Sequence, residues 1–309
     1  MAETGTHILV IKLGALGDFV QAMGPFAAIR RHHPDAPVTL LTTAPYAAFA
    51  RQSGYFDQVR IDSRPKPLAP SKWLGLRRFL RGGGFRRVYD LQTSDRSSFY
   101  FRLFWPGPYP EWSGIARGCS HPHANPNRDS MHTMERQAEQ LQMAGIDEVP
   151  RPDISWAEAH VAHFALPERY AVLVPGGAPH RPAKRWPAGR FAVLARDLAE
   201  RGIKPVLLGT ESEKDVIHAV CADCPDAVSL AGQTEFVHIA ALARHAVAAI
   251  GNDTGPMHLA AAVGCRCAVL YSSESDPALC GQRGPDVHIL REQDISDISV
   301  EQVIATLEL

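Results

Sequence analysis

Continuous apolar runs that alternate with amphipathic stretches constrain this chain more than any other feature of its sequence. HILVIKL (7–13) and VTLLTT (38–43) flank an amphipathic stretch, FVQAMGPFAAIRRHH, that runs to Pro34. From Tyr170 the alternation returns as YAVLVPGG, RFAVLARDLAERG, KPVLLGT, EKDVIHAVCADC, AVSL, FVHIAALARHA, VAAIGND, a helical stretch from Gly255 to Val263, and CAVLYS. Strands that are apolar on both faces belong to parallel sheets covered by helices on both sides. The chain is therefore expected to be α/β, with a doubly wound parallel sheet in each half. Its 309 residues exceed a typical single domain, which suits two. The stretch VPRPDISWAEAHVAHFALP holds three prolines and no strand signal, which places a linker around residues 150–167. The expected organisation is an N-terminal domain over 1–155, a second domain over 165–295, and a short C-terminal helix within 296–309.

Charge and cysteine usage narrow the function classes. Lys and Arg total 32 against 33 Asp and Glu, a formal net charge of −1, so nothing in the total requires nucleic acid. The early apolar run contains Lys12 and Gly14 and is too short to span a bilayer. MAETGT also lacks the basic segment of a secretory leader, so a cytoplasmic protein is expected. The pairs Cys221/Cys224 and Cys265/Cys267 invite a metal or redox reading, but they sit on an amphipathic helix and beside an apolar strand, where small buried thiols are common. No His or Cys spacing places several ligands on one face, so no metal site is expected.

Charge is locally uneven. From Arg60 to Arg117 there are 12 basic residues against 4 acidic ones, and Trp73, Leu74, Leu76, Phe79 and Leu80 interleave with Lys72, Arg77, Arg78 and Arg81. That pattern is a basic amphipathic helix. Two readings stand: it meets something anionic, a membrane surface or an acceptor, or its apolar face merely packs on its own domain.

Three turns fall where a doubly wound sheet binds ligands, at the carboxyl ends of strands where helix N-termini offer free amides. The first is Gly14-Ala15-Leu16-Gly17-Asp18, which lacks both the GxGxxG fingerprint and a Walker Lys-Ser/Thr. Gly14 and Gly17 permit close approach to the backbone; Asp18 is either a helix-capping carboxylate or a functional one. The second is VPGGAPHRPAKRWP, where Gly176 and Gly177 follow a strand and the cations Lys184 and Arg185 suit a diphosphate. The third is GNDTGPMHLAAAVG, where amides at Thr254 and Gly255 and the Thr254 hydroxyl suit phosphate oxygens. Asp253 would repel phosphate, so its expected task there is to cap the helix or orient neighbours.

In order and separation, GALGDFVQAMGPFAAIRRHHPDAPVTLLT, PGGAPHRPAKRWP and GNDTGPMHLAAAVGCRCAVLYSSESDP resemble the bacterial glycosyltransferase family 9, the lipopolysaccharide heptosyltransferases. The resemblance frames residues 7–277. It implies the GT-B architecture, two Rossmann-like domains facing across a cleft. It also implies inverting, metal-independent transfer of a sugar from a nucleotide-diphospho-sugar co-substrate such as ADP-heptose, with no other cofactor. The implied acceptor is a lipopolysaccharide-core or related anionic glycan, met at the inner face of the inner membrane. By the same resemblance Asp18 is the general base and Lys184 the lysine that holds the donor phosphate. Asp253, Thr254, Gly255 and His258 match the DTGxxH donor pattern; Thr234 falls at the adenine, and Glu211 or Glu213 at the ribose. Gly17, Gly176 and Gly177 complete the donor set; Arg77, Arg78 and Arg81 are expected to meet the acceptor or an anionic lipid surface on the strength of the local charge count and not of the resemblance. Ser272 and Ser273 depart from a family Gly-Pro, and Pro179, His180 and Arg181 replace threonines before the KxWP lysine. A nucleotide-sugar epimerase or hydrolase, or a non-catalytic nucleotide-sugar-binding protein, would share much of this pattern.

Overall fold

The computed structural model describes residues 6–309. The apolar runs form the central strands of two parallel sheets. The first contains β1 (His7–Ile11), β2 (Val38–Thr42), β3 (Gln58–Ile61), β4 (Phe85–Asp90), β5 (Glu111–Gly114) and β6 (His121–Pro122). The second contains β7 (Tyr170–Val174), β8 (Lys204–Leu207), β9 (Val228–Ser229), β10 (Ala248–Asn252), β11 (Cys267–Tyr271) and β12 (Val287–Arg291). Every residue of β2, β7, β10 and β11 is buried, as strands covered on both faces must be.

The chain divides into two compact units between Pro152 and Asp153. The first sheet has the order β3-β2-β1-β4-β5-β6 and the second β12-β11-β10-β7-β8-β9. Counted from its own first strand, each has the Rossmann order 3-2-1-4-5-6. The order reverses between β1 and β4 in the first unit and between β7 and β10 in the second, and such switch points are where doubly wound sheets take ligands.

Three local features differ from the sequence reading. The stretch expected as one helix up to Pro34 is two, Leu16–Gln21 and Met23–His32. Pro25 explains the break at Ala22, because it has no N–H for the Gln21 carbonyl and its ring crowds that group. The stretch between β2 and the linker, which carries no clear strand signal, supplies β3 to β6, while the expected basic amphipathic helix is Pro70–Gly82. The expected linker packs with the second unit: Ile154 and Ala157 are fully buried, and Arg244 donates to the carbonyls of Ile154 (3.3 Å), Ser155 (3.4 Å) and Ala157 (3.2 Å). The expected C-terminal helix is Val300–Leu307, and its apolar face, Val300, Val303, Ile304 and Leu307, enters the second core beside Trp186 and Leu270. All six cysteines are unpaired.

Candidate functional site

At the switch point of the second sheet one buried side chain gathers three segments. Asn252, the last residue of β10, donates its amide to the carbonyls of Pro175 (2.9 Å) and Gly176 (3.0 Å), and its Oδ1 accepts the N–H of Trp186 (2.9 Å). The glycine turn after β7, the Lys184-Arg185-Trp186 segment and the turn after β10 are thereby fixed to one another. Trp186 is itself anchored, its indole donating to the Ile298 carbonyl at 2.9 Å.

Lys184 and Asp253 meet within this frame. Lys184 Nζ lies 2.5 Å from Asp253 Oδ2. Burial raises the pKa of Asp253, but hydrogen bonds from Lys184, Gln282 and Ser275 and the lysine charge outweigh it and hold the carboxyl below its ordinary value. Lys184 donates to no other described group, so two of its three N–H bonds are left for a ligand. Thr254 caps the helix Gly255–Ala262 with its hydroxyl turned to the Asn252 carbonyl at 3.1 Å, not to a helix amide. The Thr254 and Gly255 amides therefore remain available, with the positive end of the helix dipole behind them, whereas Pro256 has no N–H and Met257 donates to the Thr254 carbonyl at 3.2 Å. Asp253 orients Lys184 and does not cap the helix. His258 is buried one turn into that helix.

The glycines take their place from close packing. A Cβ on Gly176 would strike the Glu213 carboxylate, and one on Gly177 would lie 3.3 Å from Arg185 Cγ. Arg185 donates to the Gly177 carbonyl at 2.7 Å, so this cation secures the turn that Lys184 faces. The two candidate ribose carboxylates separate. Glu213 Oε2 accepts the Thr210 N–H (2.8 Å) and hydroxyl (2.9 Å) while the carboxylate lies against Gly176. Glu211 pairs with Lys214 at 2.5 Å and lies against Gly232. Thr234 is half-buried just before the helix Phe236–His245.

At the switch point of the first sheet, Asp18 sits in the first turn of Leu16–Gln21, whose N-cap is Ala15. Its carboxylate accepts no hydrogen bond from a described residue, although the charges of Lys12 and Arg136 reach it. Gly17 precedes it in the helix. Gly14, at φ +123°, makes room for Tyr46: a Cβ there would lie 2.6 Å from the Tyr46 ring, which stacks on Phe19 at 5.0 Å. The loop is held from β4, where Gln92 Oε1 accepts the Leu13 N–H at 2.7 Å. Beneath it Lys12, 3% exposed, donates to the Leu91 carbonyl at 3.1 Å. Asp90 is fully buried; its Oδ1 accepts the amides of Gln92 and Thr93, both at 3.1 Å, and its Oδ2 has no described partner.

Arg77, Arg78 and Arg81 are not brought to Asp18. The helix Pro70–Gly82 runs back from the carboxyl end of β3 to the amino end of β4, so its last turn lies at the opposite edge of the sheet. Arg77 and Arg81 donate to the Trp105 carbonyl at 2.8 and 3.0 Å, and Arg81 also to the Gly107 carbonyl at 3.0 Å. Arg78 lines a cavity of about 510 Å³ with His7, Thr39 and Gln58, at or beside the strand starts. The cations near Asp18 are Lys12 and Arg136, which sequence reading passed over because neither belongs to a basic run. Asn252 was missed because it lies inside an apolar strand signal, and Tyr271, Ser275 and Gln282, which also contact Asp253, because they are scattered neutral residues. Among the described residues, no three His, Cys, Asp or Glu side chains form a metal-binding group.

Two Rossmann-order units are the GT-B architecture, and the class of protein within it is set by the family match. The model of glycosyltransferase family 9 (heptosyltransferase) matches residues 73–299, and the chain belongs to that family. Lipooligosaccharide heptosyltransferase 2 of Haemophilus ducreyi is 24% identical over 285 residues, 83% of this chain and 80% of that protein. The E. coli ADP-heptose lps heptosyltransferase II structure superposes with a TM-score of 0.81 at 20% identity, covering 98% of this chain and 97% of the other. The family 9 glycosyltransferase of Veillonella parvula superposes with a TM-score of 0.86 at 20% identity, covering 100% and 97%.

Asp90 gives a pH test of the first unit. Burial raises its pKa to about 6 against the opposing hydrogen bonds and the Lys12 charge. A carboxyl raised in the folded state stabilises below its unfolded pKa, and that contribution is lost as pH rises through about 6. Urea unfolding of wild type and Asp90→Asn should diverge between about pH 4 and 7, by up to about 3 kcal/mol. Parallel stability curves across that range would show that Asp90 does not titrate in this way.

Proposed function

We propose that this glycosyltransferase moves a heptose from ADP-heptose to an anionic lipopolysaccharide- or lipooligosaccharide-core acceptor, with inversion and without a metal ion. The observation that carries the reading is Lys184, held by Asp253 beside the open amides of the Gly255–Ala262 helix at the switch point of the second sheet. An ammonium and a helix N-terminus fixed in advance suit a diphosphate whose charge grows as it departs. Thr254, Gly255 and Gly176 surround that position, Glu213 takes the ribose hydroxyls, Thr234 lies at the adenine, and His258 supports the helix. Glu211, engaged by Lys214, is the less suited of the two glutamates.

The first unit supplies the base. An acceptor hydroxyl attacks the anomeric carbon, its proton passes to Asp18, and the bond from that carbon to the diphosphate oxygen breaks with its electron pair left on ADP. The Asp18 carboxylate suits this role because no described donor occupies its oxygens, and Lys12 and Arg136 give its surroundings the positive potential that draws an anionic acceptor. Similarity to proteins named as lipooligosaccharide and lipopolysaccharide heptosyltransferases supports the sugar and the acceptor class.

The basic helix is assigned to a surface and not to the acceptor pocket. Leu74 is 60% exposed and Trp105 is 70% exposed, and Arg77 and Arg81 tie the helix to the Trp105 turn, with Arg78 beside them. Indole and guanidinium groups together favour an anionic membrane interface. No helix of the described residues is long and apolar enough to cross a membrane.

Two measurements test this reading. Incubated with ADP-heptose, wild-type protein should release ADP only when a core glycolipid is added, and should do so in EDTA. Asp18→Asn should slow release by about 10²- to 10⁴-fold while ADP affinity stays within a few-fold. Acceptor-independent release would indicate a hydrolase or epimerase, and retained turnover in Asp18→Asn would remove the base. For the surface, sedimentation with phosphatidylglycerol vesicles should show binding that weakens several-fold in Arg78→Ser, at about 1 kcal/mol per cation, and fades with salt. Binding indifferent to both would withdraw the membrane contact.

A further inference from the structure

Asp253 is surrounded by more donors than a salt bridge requires. Its Oδ2 accepts from Lys184 at 2.5 Å and from the Ser275 hydroxyl at 2.9 Å. Its Oδ1 accepts from Gln282 Nε2 at 3.1 Å and lies 3.0 Å from the Tyr271 hydroxyl, which is also 2.8 Å from Gln282 Oε1. Tyr271, Ser275 and Gln282 are all buried, at 1%, 8% and 3% exposure. They come from separate places: Tyr271 ends β11, Ser275 lies in the loop that departs from the family Gly-Pro, and Gln282 follows the short helix Pro277–Cys280. Burial and the Asp253 charge push the Tyr271 phenol well above its ordinary pKa, so it remains a donor.

A carboxylate offers about four acceptor positions. Here two neutral donors, Gln282 and Ser275, share them with one ammonium, and the single Tyr271 O–H proton is shared between Asp253 Oδ1 and Gln282 Oε1, so that Tyr271 acts on Asp253 both directly and by orienting Gln282. We infer that Tyr271, Ser275 and Gln282 are positioning residues that fill Asp253 so that it holds Lys184 by a single N–H, leaving the lysine's other two N–H bonds to the donor diphosphate. This inference rests on the reading of the second switch point as a diphosphate site. Without the neutral donors, vacated carboxylate positions compete with the diphosphate for the lysine's remaining protons. A positively charged partner in their place would satisfy Asp253 but loosen its hold on Lys184. Neutral donors avoid both, and the pair stays close to electrically balanced until the diphosphate arrives.

The test is a double-mutant cycle on ADP affinity, with adenosine as the control ligand that lacks the diphosphate. Tyr271→Phe combined with Gln282→Leu should weaken ADP binding about tenfold by calorimetry and leave adenosine competition unchanged. Ser275→Ala should act in the same direction, and Ser275→Thr should restore affinity. In a Lys184→Ala background the Tyr271→Phe/Gln282→Leu pair should cost almost nothing further, because the residue they position is gone. Equal losses for ADP and adenosine, or a loss that persists in full without Lys184, would mean that these residues only stabilise the fold, and would overturn the inference. Unchanged ADP affinity in the double variant would overturn it too. Wild-type protein that fails to bind ADP at all would refute the underlying diphosphate site, an outcome distinct from the other two.

Discussion

The side chain of Asn252 is the contact on which the second unit's chemistry depends. With one donor group and one acceptor it satisfies two carbonyls and one amide from segments 66 to 77 residues distant in sequence, all buried. Removing it would leave those backbone groups unpaired, at about 1–3 kcal/mol each. Its place at the carboxyl end of β10, beside β7, is the point where the sheet order reverses. Topology opens a crevice there, and Asn252 fixes the segments that line it.

The two units handle charge in opposite ways around the same topological feature. In the second, a carboxylate is surrounded by donors, and the group proposed to act is its partner, the Lys184 ammonium. In the first, Lys12 and Asp90 are buried under the loop, and the half-exposed Asp18 keeps its oxygens unengaged. A group that must bind an anion is held by one contact and left otherwise open. Asp18, proposed to accept a proton, is held through its backbone and left open at its side chain. Both arrangements are preorganised, which spares reorganisation when the reaction occurs.

Much of this was legible in the sequence, for identifiable reasons. Strands buried on both faces leave continuous apolar runs, so β1, β2, β7, β8, β10 and β11 were readable, as were the glycine turns after β1 and β7. β3, β5 and β6 were not: the first is a mostly exposed edge strand, the last has two residues, and neither shape leaves a periodic trace. The charge run from Arg60 to Arg117 was real, but its meaning depended on strand direction, because a helix that returns to the amino edge carries its last-turn cations away from the loops at the carboxyl edge. Proline and glycine gave mixed guidance. Pro25 broke a helix whose apolar period continued through it, and Gly14 made room for Tyr46 where close ligand approach was expected. Positioning residues such as Asn252 and Gln282 stayed silent because their action depends on burial beside backbone or charge, which no spacing rule encodes.

A crystal structure of the ADP complex tests the central claim most directly. The account predicts diphosphate oxygens within hydrogen-bonding distance of Lys184 Nζ and of the Thr254 and Gly255 amides, with the Lys184–Asp253 pair and all three Asn252 hydrogen bonds retained. A diphosphate bound elsewhere, or one that draws Lys184 away from Asp253, would contradict it.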